Sequence, residues 1–279
     1  MPALNSISPD KLFRLVGTPN SPAIIDVRPD GPGLIPASMK RPADTVVQWG
    51  RNLTADKVVV VCVHGGSLSA GVAAWLRHHG VDAEILDGGF EGWASSGLPV
   101  LNEELLTPRD NEGRTVWVTR ARPKVDRIAC PWLIRRFVDP SAVFLFVNPP
   151  EVPGVAERFN AAPFDVEGVF WSHRNELCTF DTMVEELGLR GFDALQRLAL
   201  IVRGADTAHP EISPQAAGLL AASLGLSRMY ADDLEQLEAG MLLYDAFYRW
   251  CRDATDETHD WVSHKPRGRA KADAKEFVG

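Results

Sequence analysis

Apolar residues in the first hundred positions fall into short runs separated by helical stretches. Residues 23–27 read as a strand, and 58–63 form a continuous apolar run of the kind buried on both faces of a sheet. Ser8 can cap a helix over 9–16. A second helix is predicted over 69–79, with Val72, Trp75 and Leu76 on one side and Gly80 as its stop, and another strand over 83–86. Gly88, Gly89, Gly97 and Pro99 mark turns. Alternation of strand and helix predicts an N-terminal α/β domain with a central, mostly parallel sheet. Further on, 115–119 and 143–147 read as strands enclosing a helix, and helices then dominate. Thr179 is placed to cap 180–187, followed by helices over 192–202, 214–224 and 232–252. In the last of these, Leu234, Leu237, Met241, Leu242, Tyr244, Phe247 and Tyr248 read as a core stripe. The second half is therefore expected to be an α+β, mostly helical domain. The divisions are 1–101, a linker at 102–114, 115–256, and a basic tail at 257–279 expected to be disordered.

A length of 279 residues suits two domains, and 45% hydrophobic with 24% charged residues is an ordinary globular composition. Met1, Pro2, Ala3, Leu4 and Asn5 lack a basic start and an apolar run, and no stretch of about 18 apolar residues occurs, so a cytoplasmic location without membrane association is expected. Cys62, Cys130, Cys178 and Cys251 are far apart with no CxxC, which argues for free thiols over a disulfide framework. The net charge of -8 excludes nucleic-acid binding by overall attraction, yet residues 114–136 carry a local excess of +6 from Arg114, Arg120, Arg122, Lys124, Arg127, Arg135 and Arg136 against Asp126. Residues 137–256 are net -11. The basic cluster is either an anion trap or a face whose arginines pair with those carboxylates.

The first chemical candidate is Cys62, at the end of the buried run and followed by Val63, His64, Gly65, Gly66, Ser67 and Leu68 before a helix. Paired glycines let backbone amides turn inward, and such a nest at a helix start stabilises a thiolate. A strand-end cysteine is often structural, but the glycine loop favours a nucleophile. Three further segments agree: Ile24-Ile25-Asp26-Val27-Arg28, Gly33-Leu34-Ile35-Pro36-Ala37 and Leu86-Asp87-Gly88-Gly89-Phe90-Glu91-Gly92-Trp93. Together they resemble the rhodanese (sulfurtransferase) domain over residues 1 to about 100. That resemblance implies that Cys62 forms a persulfide from a small sulfane-sulfur donor and passes the sulfur to a thiol or similar acceptor. The loop lacks the Arg or Lys with which many rhodaneses hold thiosulfate, and Leu34 replaces a usual histidine. Asp26 and Arg28 read as a structural ion pair. No cofactor is expected.

The second candidate lies in Trp117-Val118-Thr119-Arg120-Ala121-Arg122-Pro123-Lys124-Val125-Asp126-Arg127-Ile128-Ala129-Cys130-Pro131-Trp132-Leu133-Ile134-Arg135-Arg136-Phe137. Arginine's planar fork suits tetrahedral oxyanions, so Arg120 and Arg127, with His173 as a further donor, are candidates to bind a sulfate-like dianion. Cys130 and Cys178 are possible redox or ligand thiols, Cys130 lying near several positive charges in sequence, or else buried small hydrophobes. Cys130, His173, Cys178 and His209 are chemically plausible metal ligands at spacings that match no established pattern. With Phe164-Asp165-Val166-Glu167-Gly168 and Cys178-Thr179-Phe180-Asp181, the long motif resembles the ChrB-like chromate-resistance family over about 115–255. The resemblance implies tolerance or sensing of chromate. Some members of that family are regulators with a DNA-binding region in front. Here the rhodanese-like segment stands in that place, so nucleic acid is not expected as a partner. The combined expectation is a sulfurtransferase fused to an oxyanion-binding domain. The alternative is a non-catalytic oxyanion sensor or adaptor that uses the rhodanese fold for docking.

Overall fold

The computed structural model describes residues 5–257, so the predicted basic tail, apart from Glu257, lies outside the described residues. The first half contains β1 (Ser6–Ile7), α1 (Pro9–Phe13), β2 (Ala23–Asp26), β3 (Ser38–Lys40), α2 (Val46–Trp49), β4 (Lys57–Val61), α3 (Ser67–His78), β5 (Asp82–Leu86) and α4 (Gly89–Ser95). Its strands form one parallel sheet in the order β1-β5-β4-β2-β3. The apolar run of β4 is explained by its central position. Val59 and Val61 pack on one face with Ile24 and Leu86, while Val58 and Val60 pack on the other with Ile25, Val72 and Leu76. Strand periodicity thus divides a single run between two layers.

The second half contains β6 (Val116–Arg120), α5 (Val125–Leu133), a wider π-type turn at Ile134–Val138, β7 (Val143–Val147), α6 (Val152–Phe159), β8 (Ala162–Pro163), α7 (Thr179–Glu186), α8 (Asp193–Asp206), α9 (Ala216–Met229) and α10 (Asp233–Asp253). Its small parallel sheet runs β7-β6-β8, with helices making up most of the rest. Asp232 caps α10 by accepting from the amides of Leu234 and Glu235, both at 2.9 Å.

The halves share one hydrophobic cluster. Phe13 stacks on Phe192 with ring centroids 4.7 Å apart, and Phe137 packs edge-on to Phe192 at 5.0 Å. The Phe137 ring also lies against Gly17, where a Cβ would come within 2.2 Å of it at a φ of +78°. The segment 102–114 does not hang free. Asn102 N–H donates to Leu187 O at 3.2 Å, and Arg109 pairs with buried Asp139 at 3.1 Å.

Several local expectations are corrected. The N-cap of α7 is Cys178, and Thr179 is its first helical residue. Trp75 is exposed, and so are Leu234 and Leu242 of the predicted α10 stripe, whereas Leu237, Met241, Tyr244 and Tyr248 are buried. The short helices α2, α4 and α6 were not predicted. Each is built from sequence dominated by turn formers or lacking a sustained apolar period.

Candidate functional site

Cys62 directly follows β4, and the loop 63–66 carries the chain into α3. Its Sγ accepts the Gly66 N–H at 3.3 Å and lies 3.1 Å from Ser69 Oγ. Burial alone would raise the thiol pKa. The Ser69 hydroxyl and the backbone amides of Ser69, Gly66 and His64 outweigh it and hold Cys62 below the ordinary thiol value. The loop is braced by the turn into α4, where Phe90 N–H donates to Cys62 O at 2.9 Å and Glu91 N–H to Val63 O at 3.0 Å. This approach requires Gly89, at a φ of +60°, because a Cβ there would lie 2.3 Å from Cys62 O. Asp26 and Arg28 form the expected buried ion pair, with Arg28 also donating to Gly33 O and lying over the Phe90 ring.

Cys62 itself is 5% exposed. Beside its loop is a cavity of about 1010 Å³ whose lining takes in Ser67, Leu68 and Trp75 as well as Arg28, Lys40 and Arg41, but not Cys62. Of these cations, Arg28 is paired with Asp26 and Lys40 with Glu103 at 2.9 Å. His64, the loop's one titratable side chain besides Cys62, faces Glu91 at 3.1 Å.

A second cluster sits at the C-terminal edge of the small sheet. Arg120 ends β6, Asp126 and Arg127 lie in the first turn of α5, Asp165 follows β8, and Asp206 ends α8. His173 comes from the loop before α7. Its Nε2 is 3.2 Å from Asp206 Oδ2, 3.4 Å from Asp165 Oδ1 and 3.7 Å from Asp126 Oδ2. Asp165 also receives Arg127 Nε at 3.1 Å, Arg120 at 3.5 Å and the Thr179 hydroxyl at 3.0 Å. Asp126 Oδ2 accepts the Thr179 and Phe180 amides at the start of α7, and the Asp126 N–H donates to Asp206 Oδ1 at 3.2 Å. Hydrogen bonds to Asp165 and Asp206 raise the His173 pKa to about 10. Burial, reinforced by Asp206 and Asp165, pushes the Asp126 carboxyl well above the usual range. Two buried polar atoms in the cluster, Asp126 Oδ1 and Arg120 Nε, have no hydrogen-bond partner.

Residues 8–96 match the rhodanese-like domain family, and residues 117–251 match the family of the ChrB C-terminal domain. The first half of the chain is thus similar to a rhodanese-like domain and the second half to a ChrB C-terminal domain. It is 33% identical over 142 residues to Protein ChrB of Cupriavidus metallidurans, a match that takes in 50% of this chain and 42% of that protein. The chain thus spans less than half of that relative. Among solved structures, a rhodanese-related protein from Thermoplasma volcanium is 26% identical with a TM-score of 0.31, covering 35% of this chain and 97% of that one. A rhodanese-like domain protein from Staphylococcus aureus is 30% identical with a TM-score of 0.30, covering 32% and 91%.

Within the ChrB domain, Arg120, Arg127 and His173 come together as their types suggested, but around carboxylates. Asp126, Asp165 and Asp206 were missed as site residues, although Asp126 and Asp165 occur in segments already singled out in the sequence. The signal lay in acids at helix ends and strand ends. Three more of the basic cluster are ion-paired, Arg114 with Asp110 and Glu112, Arg135 with Glu238, and Arg136 with Asp245, and Lys124 is exposed. Arg122 donates to the carbonyls of Ser227 and Tyr230. The expectation of a positive environment for Cys130 is overturned. Cys130 and Cys178 are fully buried, and burial together with nearby carboxylates, Asp126 foremost, pushes both thiols well up. Of the two readings offered for them, burial favours small packing residues. His209 pairs with Glu211 at the surface, so the set Cys130, His173, Cys178 and His209 does not form a ligand group.

Proposed function

We propose that the rhodanese-like domain is a sulfurtransferase whose Cys62 carries the transferred sulfur. The observation that supports this most is the Gly66 amide donating to Sγ at the start of α3, with the Ser69 Oγ, which donates to Gly66 O, 3.1 Å from the sulfur. In the first half-reaction the Cys62 thiolate attacks the sulfane sulfur of a donor. A Cys62 S–S bond forms as the donor's bond to that sulfur breaks, and the electron pair leaves with the departing anion. In the second, an acceptor thiolate attacks the outer sulfur, takes it, and restores the Cys62 thiolate. Lys40 and Arg41 on the cavity rim favour an anionic donor, and the apolar wall of Leu68, Val47 and Trp75 favours one with a hydrophobic part. Four unbridged cysteines suit the reducing cytoplasm as the place of action. Among the described residues no helix is long and apolar enough to cross a membrane.

The ChrB domain would bind a chromate- or sulfate-like oxyanion through Arg120, Arg127 and His173, and so serve in chromate tolerance or sensing. The unpartnered Arg120 Nε favours this reading, since it is a buried donor left for an acceptor that the chain does not provide. An oxyanion there competes with Asp165 for the arginines. Turnover from thiosulfate and 3-mercaptopyruvate by the full chain tests the first half. Activity is expected with at least one donor and lost in Cys62→Ser, and equal rates in the two proteins would refute it. The second half predicts weaker chromate binding in Arg120→Ala and Arg127→Ala, and unchanged affinity would refute it.

A further inference from the structure

The acidic half of the second cluster has a use that oxyanion binding does not call on. Asp126 is 1% exposed, and its Oδ1 accepts no hydrogen bond, although Oδ2 takes two amides from α7. Burial and the neighbouring Asp206 and Asp165 hold the Asp126 carboxyl toward its neutral form, and a cation beside Oδ2, which faces His173 at 3.7 Å, would let it ionise. The carboxylate belongs to a group in which one donor atom from each of Asp126, His173 and Asp206 lies within 4.8 Å of the others. Donors about 2.1 Å from a common ion lie about 3.0 to 3.4 Å apart at octahedral to tetrahedral angles. His173 Nε2 already stands 3.2 Å from Asp206 and 3.7 Å from Asp126.

We propose that Asp126, His173 and Asp206 bind one divalent first-row transition-metal ion of the Mn²⁺ or Zn²⁺ class. The donor set selects that class. An imidazole disfavours the all-oxygen preference of Ca²⁺ and Mg²⁺, and the absence of a thiolate from the group disfavours the softest ions. The nearby thiols of Cys130 and Cys178 are buried in the core cluster instead. Asp165 stands 3.4 Å from His173 Nε2 and is anchored by Arg127 and the Thr179 hydroxyl, so it holds the edge of the site in place. His173 is half-exposed and gives the ion a path from solvent, whereas Asp126 forms the floor. Asp126 and Asp206 are donors that an anion would avoid, whereas His173 is shared with the oxyanion reading, its Nε2 protonated toward an anion and neutral toward a metal ion.

The test uses the full chain, stripped with EDTA and titrated calorimetrically with Mn²⁺ or Zn²⁺ alone, beside Asp206→Asn and His173→Gln. The expected result is one equivalent of at least one ion per chain, with affinity at least about tenfold weaker in each variant and a metal-dependent rise in Tm seen only in the parent. Circular dichroism establishes that the variants are folded. No stoichiometric binding of either ion, or undiminished affinity in either folded variant, overturns the proposal. A second readout needs no variant: Mn²⁺ should broaden the His173 ring resonances of the parent before those of His64 and His209. Broadening that spares His173 also overturns it.

Discussion

Replacing Ser69 with alanine removes a hydroxyl that helps to hold Cys62 ionised while leaving the Gly66 amide in place. The Ser69 hydroxyl lies 3.1 Å from Sγ. A hydrogen bond to a charged acceptor contributes about 1.5 to 3 kcal/mol, and sulfur's diffuse charge places this one near the lower end. A loss of about 1.5 kcal/mol lowers the thiolate-to-thiol ratio about tenfold at a fixed pH. The thiolate that remains is more basic and so about threefold more nucleophilic, for a Brønsted slope of about 0.4 to 0.5. The sign therefore reverses with pH. Below both midpoints, Ser69→Ala should react with iodoacetamide about threefold more slowly than the parent, and above both about threefold faster. The parent's rate should rise with pH and level off below the range of a free thiol, since its pKa is lowered. Cys130, Cys178 and Cys251 do not interfere, being buried with raised pKa values, Cys251 to about 11. Rate profiles that superimpose, or a variant whose profile moves to lower pH, would refute the reasoning.

Gly89→Ala places a Cβ 2.3 Å from Cys62 O at a positive φ. Strain and clash should cost about 3 kcal/mol or more in urea unfolding, and a loss under about 1 kcal/mol would contradict the account of that turn. Because the halves share one core cluster, the parent should unfold in a single transition by both far-UV circular dichroism and tryptophan fluorescence. Phe192→Ala, which removes the contacts to Phe13 and Phe137, should destabilise it by about 3 to 5 kcal/mol, and two separated transitions in the parent would contradict the shared core. Arg28→Lys keeps the charge but not the fork that meets both Asp26 oxygens and Gly33 O, so a loss of about 1.5 to 3 kcal/mol is expected. An unchanged Tm by calorimetry would count against that role.

The five longer strands and the cysteine loop were legible because local signals and tertiary roles coincide there, whereas β1, β3 and β8, of two or three residues, are too short to show a period. The valines of β4 announce a strand buried on both faces, and Gly65-Gly66 announce a turned backbone. The start of α4 reads as a turn because Gly89 serves the close approach to Cys62 O and Gly88 has a φ of +70°, so a tertiary demand overrides helix propensity. In the second half, residue type identified Arg120, Arg127 and His173, but charge counted along the chain misjudged their surroundings. Asp165 and Asp206 are distant from Asp126 in sequence, and the start of α5 and the ends of β8 and α8 bring them together. Arg135 and Arg136 enlarge the local positive charge on paper, yet in space they are balanced by Glu238 and Asp245 of α10. Cys130 was misread for the same reason.

The most direct test of the sulfur-carrying role is intact-protein and peptide mass spectrometry after brief exposure of the full chain to a sulfane-sulfur donor. The account predicts one added sulfur atom on the peptide containing Cys62, removed by dithiothreitol and absent from Cys62→Ser. A parent protein that stays unmodified with every donor, or that gains sulfur equally in Cys62→Ser, would contradict it.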